Sequence, residues 1–277
     1  MEVAPDELRD LVRRALEEDR ASEDVTTLAT VPEAAKGRAR LISRDDCVVA
    51  GTDVLAATFL EVDPSLAVTI DVRDGERATA GRALATIEGS MRSILTAERT
   101  ALNFMQRLSG IATLTRRFVD VAGSVEIRDT RKTTPGLRRL EKTAVRAGGG
   151  TNHRSSLADA VLIKDNHIAA AGGVAAAVTA ARDLGVPVEV ECETLDDVRA
   201  AIAAGADEML LDNMDVDTMK RAVEIASAAG KRTEASGGIT LETVKEIAAT
   251  GVDSISVGAL THSAPAVDLS LEIEQVE

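Results

Sequence analysis

Between Glu126 and His167 the chain gathers nine cations against five acids, although its overall balance is the reverse, 32 Lys and Arg to 46 Asp and Glu and a net charge of −14. The nine are Arg128, Arg131, Lys132, Arg138, Arg139, Lys142, Arg146, Arg154 and Lys164, and two of the three histidines, His153 and His167, fall in the same stretch. A basic island in an acidic protein focuses its field onto a small anionic ligand. Arg131, Lys132, His153, Arg154 and Lys164 are the members placed for that role. Arg139, Lys142 and Arg146 lie on a helical stretch, 136–148, and read as solvated charges of a helix face; for His167 a scaffold role stands beside a ligand role. Two glycine turns add a second kind of chemistry. Ser236-Gly237-Gly238 and Val257-Gly258-Ala259 each follow a β-branched run. In a βα array such turns resemble a phosphate cup, where backbone N–H groups bind a dianion and glycine permits close approach.

The elements that must hold these residues alternate. Short strands are expected at 125–129, 160–164, 188–192, 208–212, 232–236 and 254–258. Between them lie Ala-rich helical stretches at 171–185, 194–205, 215–230 and 240–251, with Thr194, Asp215 and Thr240 as N-caps. Alternation of this kind predicts a parallel sheet, open or closed into a barrel. The polar and glycine-rich residues then cluster at the carboxyl ends of the strands, where barrel enzymes keep their sites. Glu191 and Asp212 stand at two of those ends, with pairing to neighbouring arginines as their plain structural reading.

The first hundred residues differ. A helix at 5–19, strands at 37–43, 47–51, 66–73 and 83–88, a helix at 52–61 and turns at Asp74-Gly75 and Ala80-Gly81 suggest a separate α+β sandwich domain. A long helical stretch from Ser93 to Val121, interrupted near Gly110, leads out of it. The tail 269–275 alternates apolar and polar residues and is expected to return as a strand to the first sheet. The division expected is 1–105 with the tail 265–277, and 106–264 for the array of parallel strands, which the resemblance given below makes an incomplete, TIM-like α/β barrel.

Composition excludes several classes. An acidic chain with a pI near 4.8 disfavours a nucleic-acid partner. No run of about 18 apolar residues exists to cross a membrane. The charged N-terminus lacks an apolar signal core, and Cys47 and Cys192 form neither a disulfide framework nor a metal-ligand pattern, so a cytoplasmic protein is expected. With 25 Arg to 7 Lys, and neither Trp nor Tyr, the composition suits a salt-filled cytoplasm, a halophilic source, or equally a GC-rich genome.

Several blocks together resemble one family. They are TAERTALNFMQRLSGIAT (96–113), IRDTRKTTPGLRRLEKTAVRAGGGTNHR (127–154), LIKDNHI (162–168), VEVEC (188–192), LLDN (210–213), ASGGI (235–239) and SVGALTHS (256–263). Over essentially its whole length the chain resembles quinolinate phosphoribosyltransferase, the carboxylating nicotinate-nucleotide pyrophosphorylase, and a halophilic archaeon is the source this suggests with the composition. The resemblance implies an N-terminal α/β sandwich, an incomplete barrel and an obligate homodimer, with a hexamer as the higher assembly. It also implies the reaction of NAD biosynthesis in which quinolinate and phosphoribosyl pyrophosphate give nicotinate mononucleotide, pyrophosphate and CO2, with Mg2+.

The same resemblance maps roles onto residues. Quinolinate, a pyridine dianion, would be held by Arg131, His153, Arg154 and Lys164, with Arg99 reaching in from the neighbouring subunit; arginine suits this because its planar fork grips carboxylates bidentately. Phosphoribosyl pyrophosphate would meet Ser236, Gly237, Gly238, Gly258 and His262 at its phosphate. Lys132 and Lys164 would meet the pyrophosphate and carboxylate charges. Glu191 and Asp212 would meet the ribose hydroxyls and the water shell of magnesium, since Mg2+ prefers oxygen ligands and keeps most of its waters. Lys132, Lys164, Glu191 and Asp212 are thus the expected catalytic set. Other readings are a nicotinate phosphoribosyltransferase that does not decarboxylate, a Schiff-base aldolase using Lys164, and a metabolite-binding protein without catalysis.

Overall fold

The computed structural model describes residues 3–276. It falls into two compact units. One comprises the chain up to Arg116, Thr134–Gly149 and the stretch from Ser263; the other comprises Arg117–Thr133 and Gly150–His262.

In the first unit the strands are β1 (Lys36–Ser43), β2 (Cys47–Val48), β3 (Ala67–Ile70), β4 (Arg77–Ala78) and β5 (Ala83–Ser90). The second contains β6 (Glu126–Arg128), β7 (Val161–Ile163), β8 (Val188–Cys192), β9 (Glu208–Asp212), β10 (Arg232–Ser236) and β11 (Ser254–Ser256). The last strand, β12 (Leu269–Val276), belongs to the first unit and pairs antiparallel with β1, the return expected of the tail. It completes an antiparallel sheet of order β12-β1-β5-β3. Leu41, Leu84 and Ile87 on that sheet pack with Phe59 of the helix Thr52–Val62 and with Ile94 and Met105 of a longer helix.

That longer helix, Met91–Ala122, runs 32 residues without the break expected near Gly110. Glycine there serves a close approach instead: a Cβ on Gly110 would stand 2.1 Å from the carbonyl oxygen of Pro265. The two compact units divide within this helix, after Arg116. The basic helix Arg138–Ala147 also differs from expectation, since it belongs to the first unit. Its Lys142 is buried with Glu141, so Lys142 is not the solvated surface charge its helical spacing suggested.

The second unit carries a six-stranded parallel sheet of order β6-β11-β10-β9-β8-β7. Among the described residues β6 and β7 do not pair with each other, which leaves the barrel incomplete. Parallel strands covered on both faces must bury both sets of side chains, and in β8 all five residues are buried. Val188, Val190 and Cys192 take one face while Glu189 and Glu191 take the other. The helices between strands begin as their caps dictate: the Thr194 hydroxyl accepts from Asp197 N–H, and an Asp215 carboxylate oxygen accepts from Thr218 N–H. Thr240 differs. Its carbonyl, not its side chain, accepts from Val244 N–H, and the regular helix shrinks to Val244–Ala248. In the stretch expected as a helix at 171–185 the α-helix is Val174–Ala181, followed by a single 3-10 turn at Arg182–Leu184; Gly172 and Gly173, both at positive φ, separate it from the preceding helix Asp165–Ala171.

Candidate functional site

A cavity of about 910 Å³ opens at the carboxyl ends of the parallel strands. Its lining includes Arg131, Lys132, His153, Arg154, Lys164, Glu191, Asp212, Ser236, Gly237, Gly238, Gly258 and His262, drawn from several successive strand ends and turns. Every residue given a substrate or catalytic role by the resemblance except Arg99 is thus among the lining residues. Arg99 is exposed on the helix Met91–Ala122, in the first unit. His167 is not a lining residue; its Nδ1 accepts from Lys164 N–H at 3.0 Å and caps the helix Asp165–Ala171.

On the cationic side, Arg154 Nη1 donates to the Ala160 carbonyl at 3.0 Å, while its buried Nε has no hydrogen-bond partner. Burial and then the Arg131 guanidinium press the Arg154 pKa below its ordinary value. Two guanidinia lining one cavity form a receptor for an anion. Lys164 Nζ lies 2.7 Å from Glu191 Oε2, so the amine is engaged by a carboxylate rather than free to meet a carbonyl carbon.

Two turns shape the other end. Gly237 has φ +95°, and a Cβ there would lie 2.2 Å from Asn213 Oδ1. Asn213 itself is left-handed at φ +53°, and its Nδ2 donates to Asp212 Oδ2 at 2.5 Å. The Ser236 hydroxyl donates to the other oxygen of Asp212. Asp212 is therefore clamped from both sides at the end of β9. A Cβ on Gly258 would come 3.0 Å from Lys132 Cδ and 3.2 Å from His262 Nε2, so glycine lets these two cationic-type side chains close over one turn. Thr261 Oγ1 donates to the Lys132 carbonyl at 2.8 Å and fixes that segment.

His153 and Glu234, both lining the cavity, belong to a polar cluster with Glu189 and Arg128, and its glutamates were not among the residues the sequence pointed to. His153 Nε2 stands 2.9 Å from Glu189 Oε2 and 3.7 Å from Glu234 Oε1. Arg128 Nη1 donates to Glu234 Oε2 at 2.7 Å and to Glu208 Oε1 at 3.1 Å. Burial, then the Glu189 charge, raise the Glu234 pKa. Burial opposes charge on His153, but Glu189 and Glu234 outweigh it, so the imidazole titrates above its ordinary value. One signal could have exposed this layer: alternate glutamates in VEVEC, on a strand that must bury both faces.

The chain matches the family model described as quinolinate phosphoribosyl transferase, C-terminal domain, over residues 111–272, and the corresponding N-terminal domain over residues 24–109. The chain belongs to the quinolinate phosphoribosyltransferase family. It is 44% identical to the chloroplastic nicotinate-nucleotide pyrophosphorylase [carboxylating] of Oryza sativa subsp. japonica, over 97% of this chain and 78% of that one. It is 41% identical to the probable nicotinate-nucleotide pyrophosphorylase [carboxylating] of Bacillus subtilis, over 96% and 93%. Among solved structures, the nicotinate-nucleotide pyrophosphorylase from Francisella tularensis superposes with a TM-score of 0.94 at 42% identity, covering 99% of this chain and 98% of that chain. For a quinolinate phosphoribosyltransferase fold the cavity lies where the chemistry needs it, at the strand ends of the parallel sheet. No helix among the described residues is long and apolar enough to cross a membrane.

Proposed function

We propose that this chain converts quinolinate and phosphoribosyl pyrophosphate to nicotinate mononucleotide, pyrophosphate and CO2. The observation that carries the reading is the convergence of Arg131, His153, Arg154 and Lys164 on one cavity at the strand ends, with the buried Arg154 Nε left without a hydrogen-bond partner for a ligand to take up. Adjacent carboxylates on a pyridine ring match two planar forks. Lys164, held by Glu191, adds a third cation at the same end. The sugar phosphate would rest in the Ser236-Gly237-Gly238 and Gly258 turns beside His262, with Lys132 near the pyrophosphate. Departure of pyrophosphate leaves an oxocarbenium-like ribosyl centre, which the pyridine nitrogen attacks. The ring then carries positive charge, so the adjacent carboxylate leaves as CO2 and the ring carbon takes up a proton. Glu191 and Asp212 would steady the positive charge on the ribose, and positioning with charge stabilisation supplies the rate.

Magnesium would arrive with the pyrophosphate and offset its charge. Asp212 and Glu191 fit it as hard oxygen donors, and each already holds a protein partner, which favours contact through water. The exposed Arg99 is assigned to a neighbouring subunit's site in a homodimer, so a monomeric variant is expected to lose turnover. A cytoplasmic setting rich in salt suits the acidic, Lys-poor composition; solubility and stability unchanged in salt-free buffer would refute that part. The direct test of function is to incubate the protein with quinolinate, phosphoribosyl pyrophosphate and Mg2+ and to measure CO2 together with nicotinate mononucleotide. Turnover of nicotinate without CO2 release would refute the reading.

A further inference from the structure

Glu189 and Glu234 take no part in the reaction as proposed, yet they are 6% and 1% exposed, and each leaves its Oε1 buried without a hydrogen-bond partner. Burial of carboxylates in such a state is costly, so the layer must return something. The ring of His153 shows what it returns. Its Nδ1 accepts the backbone N–H of Arg154 at 2.8 Å. A nitrogen that accepts keeps its lone pair, so the ring proton belongs on Nε2, where Glu189 Oε2 receives it at 2.9 Å. Glu234 faces the same nitrogen from β10, and is itself held by Arg128 of β6 at 2.7 Å and by the Ser254 hydroxyl of β11 at 3.3 Å. His153 N–H, for its part, donates to Asp129 Oδ1 at 3.0 Å. With the proton on Nε2 the imidazole has no lone pair turned toward the two glutamates, so as arranged His153 donates to Glu189 and the three residues are not a metal site.

We infer that Glu189 is a positioning residue for the dianion pocket: it fixes the proton of His153 on Nε2, which leaves Nδ1 to anchor the Arg154 amide, while Glu234, held by Arg128, faces the same nitrogen. Arg154 is then held at two points, its amide on His153 and its Nη1 on the Ala160 carbonyl, and the rest of its guanidinium is presented to a ligand carboxylate. Without Glu189 the ring can adopt the other tautomer, with Nδ1–H opposing Arg154 N–H, and the guanidinium loses its fixed base. The inference rests on the proposed reaction only for the identity of the ligand.

Nitrogen-15 NMR of histidine-labelled protein without substrate tests the first step, since the chain has only three histidines and His153→Gln identifies the resonance. A protonated Nε2 and an accepting Nδ1 are expected in the neutral ring; a protonated Nδ1 overturns the inference. Steady-state kinetics test the second. Glu189→Gln is expected to raise the KM for quinolinate about tenfold, the scale of one lost charge-assisted hydrogen bond, with the KM for phosphoribosyl pyrophosphate nearly unchanged. Equal rises in both KM values would mean general loosening and also overturn it. If Glu189→Gln does not fold, Glu234→Gln, which keeps an acceptor for Arg128, is expected to show the same split at smaller size. The NMR measurement needs no turnover, so failure of the inference and failure of the proposed reaction are read separately.

Discussion

The two sheets of this chain use arginine in opposite ways. On the antiparallel sheet of the first unit, Arg38 faces Glu88, Arg40 faces Glu274 and Arg44 faces Glu272 across neighbouring strands, each pair open to solvent. Opposite charges set side by side in water leave little field and little energy. In the parallel sheet of the second unit, Arg128 is half-buried at the end of strand β6 among Glu208 and Glu234, while Arg131 and Arg154 come from loops beyond the strand ends. There the charges are partly desolvated, and the pKa of Arg154 falls through burial first and the neighbouring Arg131 second. Pairing satisfies a surface, whereas cations gathered in a cavity make a receptor.

The largest test of this contrast is to remove one cation from the receptor. Arg154→Ala is expected to lower kcat/KM for quinolinate by about a hundredfold or more, since a bidentate charged contact is lost. Thermal unfolding should move only slightly, because burial already disfavours the Arg154 charge. Arg154→Lys keeps the charge without the fork and should fall between wild type and alanine. Near-normal turnover in the alanine variant would break the comparison at its centre.

How much of this could be read from the residues alone depends on what carried the signal. The alternation of β-branched runs with capped helices disclosed β8, β9 and β10 with their bounds, since strand period and Gly or Thr punctuation are local properties. Arg131, His153, Arg154 and Lys164 were legible because charge of the wrong sign for the chain gathers around them. Glu189, Glu234 and Asn213 were not. Their importance comes from depth and from the partner across the sheet, which no single segment records. Lys142 misled for the same reason, since its helical spacing says nothing of what covers that face. The long helix gave a third kind of error: Gly110 reads locally as a break, and only the approach of Pro265 explains it.

A second test addresses the turn that closes the receptor. Gly237→Ala forces a side chain into a left-handed conformation and into Asn213 Oδ1. The expected cost is on the order of 1–3 kcal/mol of local strain. Part of it should appear as a shift of Asn213 and so of Asp212, lowering kcat by about tenfold if 1.4 kcal/mol reaches the transition state. Gly238→Ala, with φ +59° but open space around it, should cost less, and kinetics on both variants will show whether crowding or backbone angle decides.

The buried layer predicts a pH signature. Glu234 and His153 both have raised pKa values, so both hold protons more tightly folded than unfolded. Stability from such groups is complete below their unfolded pKa values and is lost as pH rises through the folded ones. Wild type is therefore expected to lose stability relative to Glu234→Gln as pH rises from about 5 to 8, by a few °C in Tm on the scale of roughly 1 kcal/mol. A difference that stays constant across that range would mean that Glu234 ionises in the folded protein as it does in the unfolded chain.

The smallest effect belongs to the paired sheet. Arg40→Ala breaks its 2.6 Å contact with Glu274, where the side chains are 40% and 35% exposed. A surface pair is worth about 0–1 kcal/mol, so Tm should drop by no more than about 4 °C, and less in molar salt, where such pairs are screened. Turnover should be untouched. The salt response separates the two sheets further, because the desolvated contacts of Arg128 are screened far less than exposed ones. If Arg40→Ala destabilised the protein as strongly in high salt as Arg128→Ala does, the antiparallel sheet would hold its charges as tightly as the parallel one, and the contrast between the two would fail where it is easiest to measure.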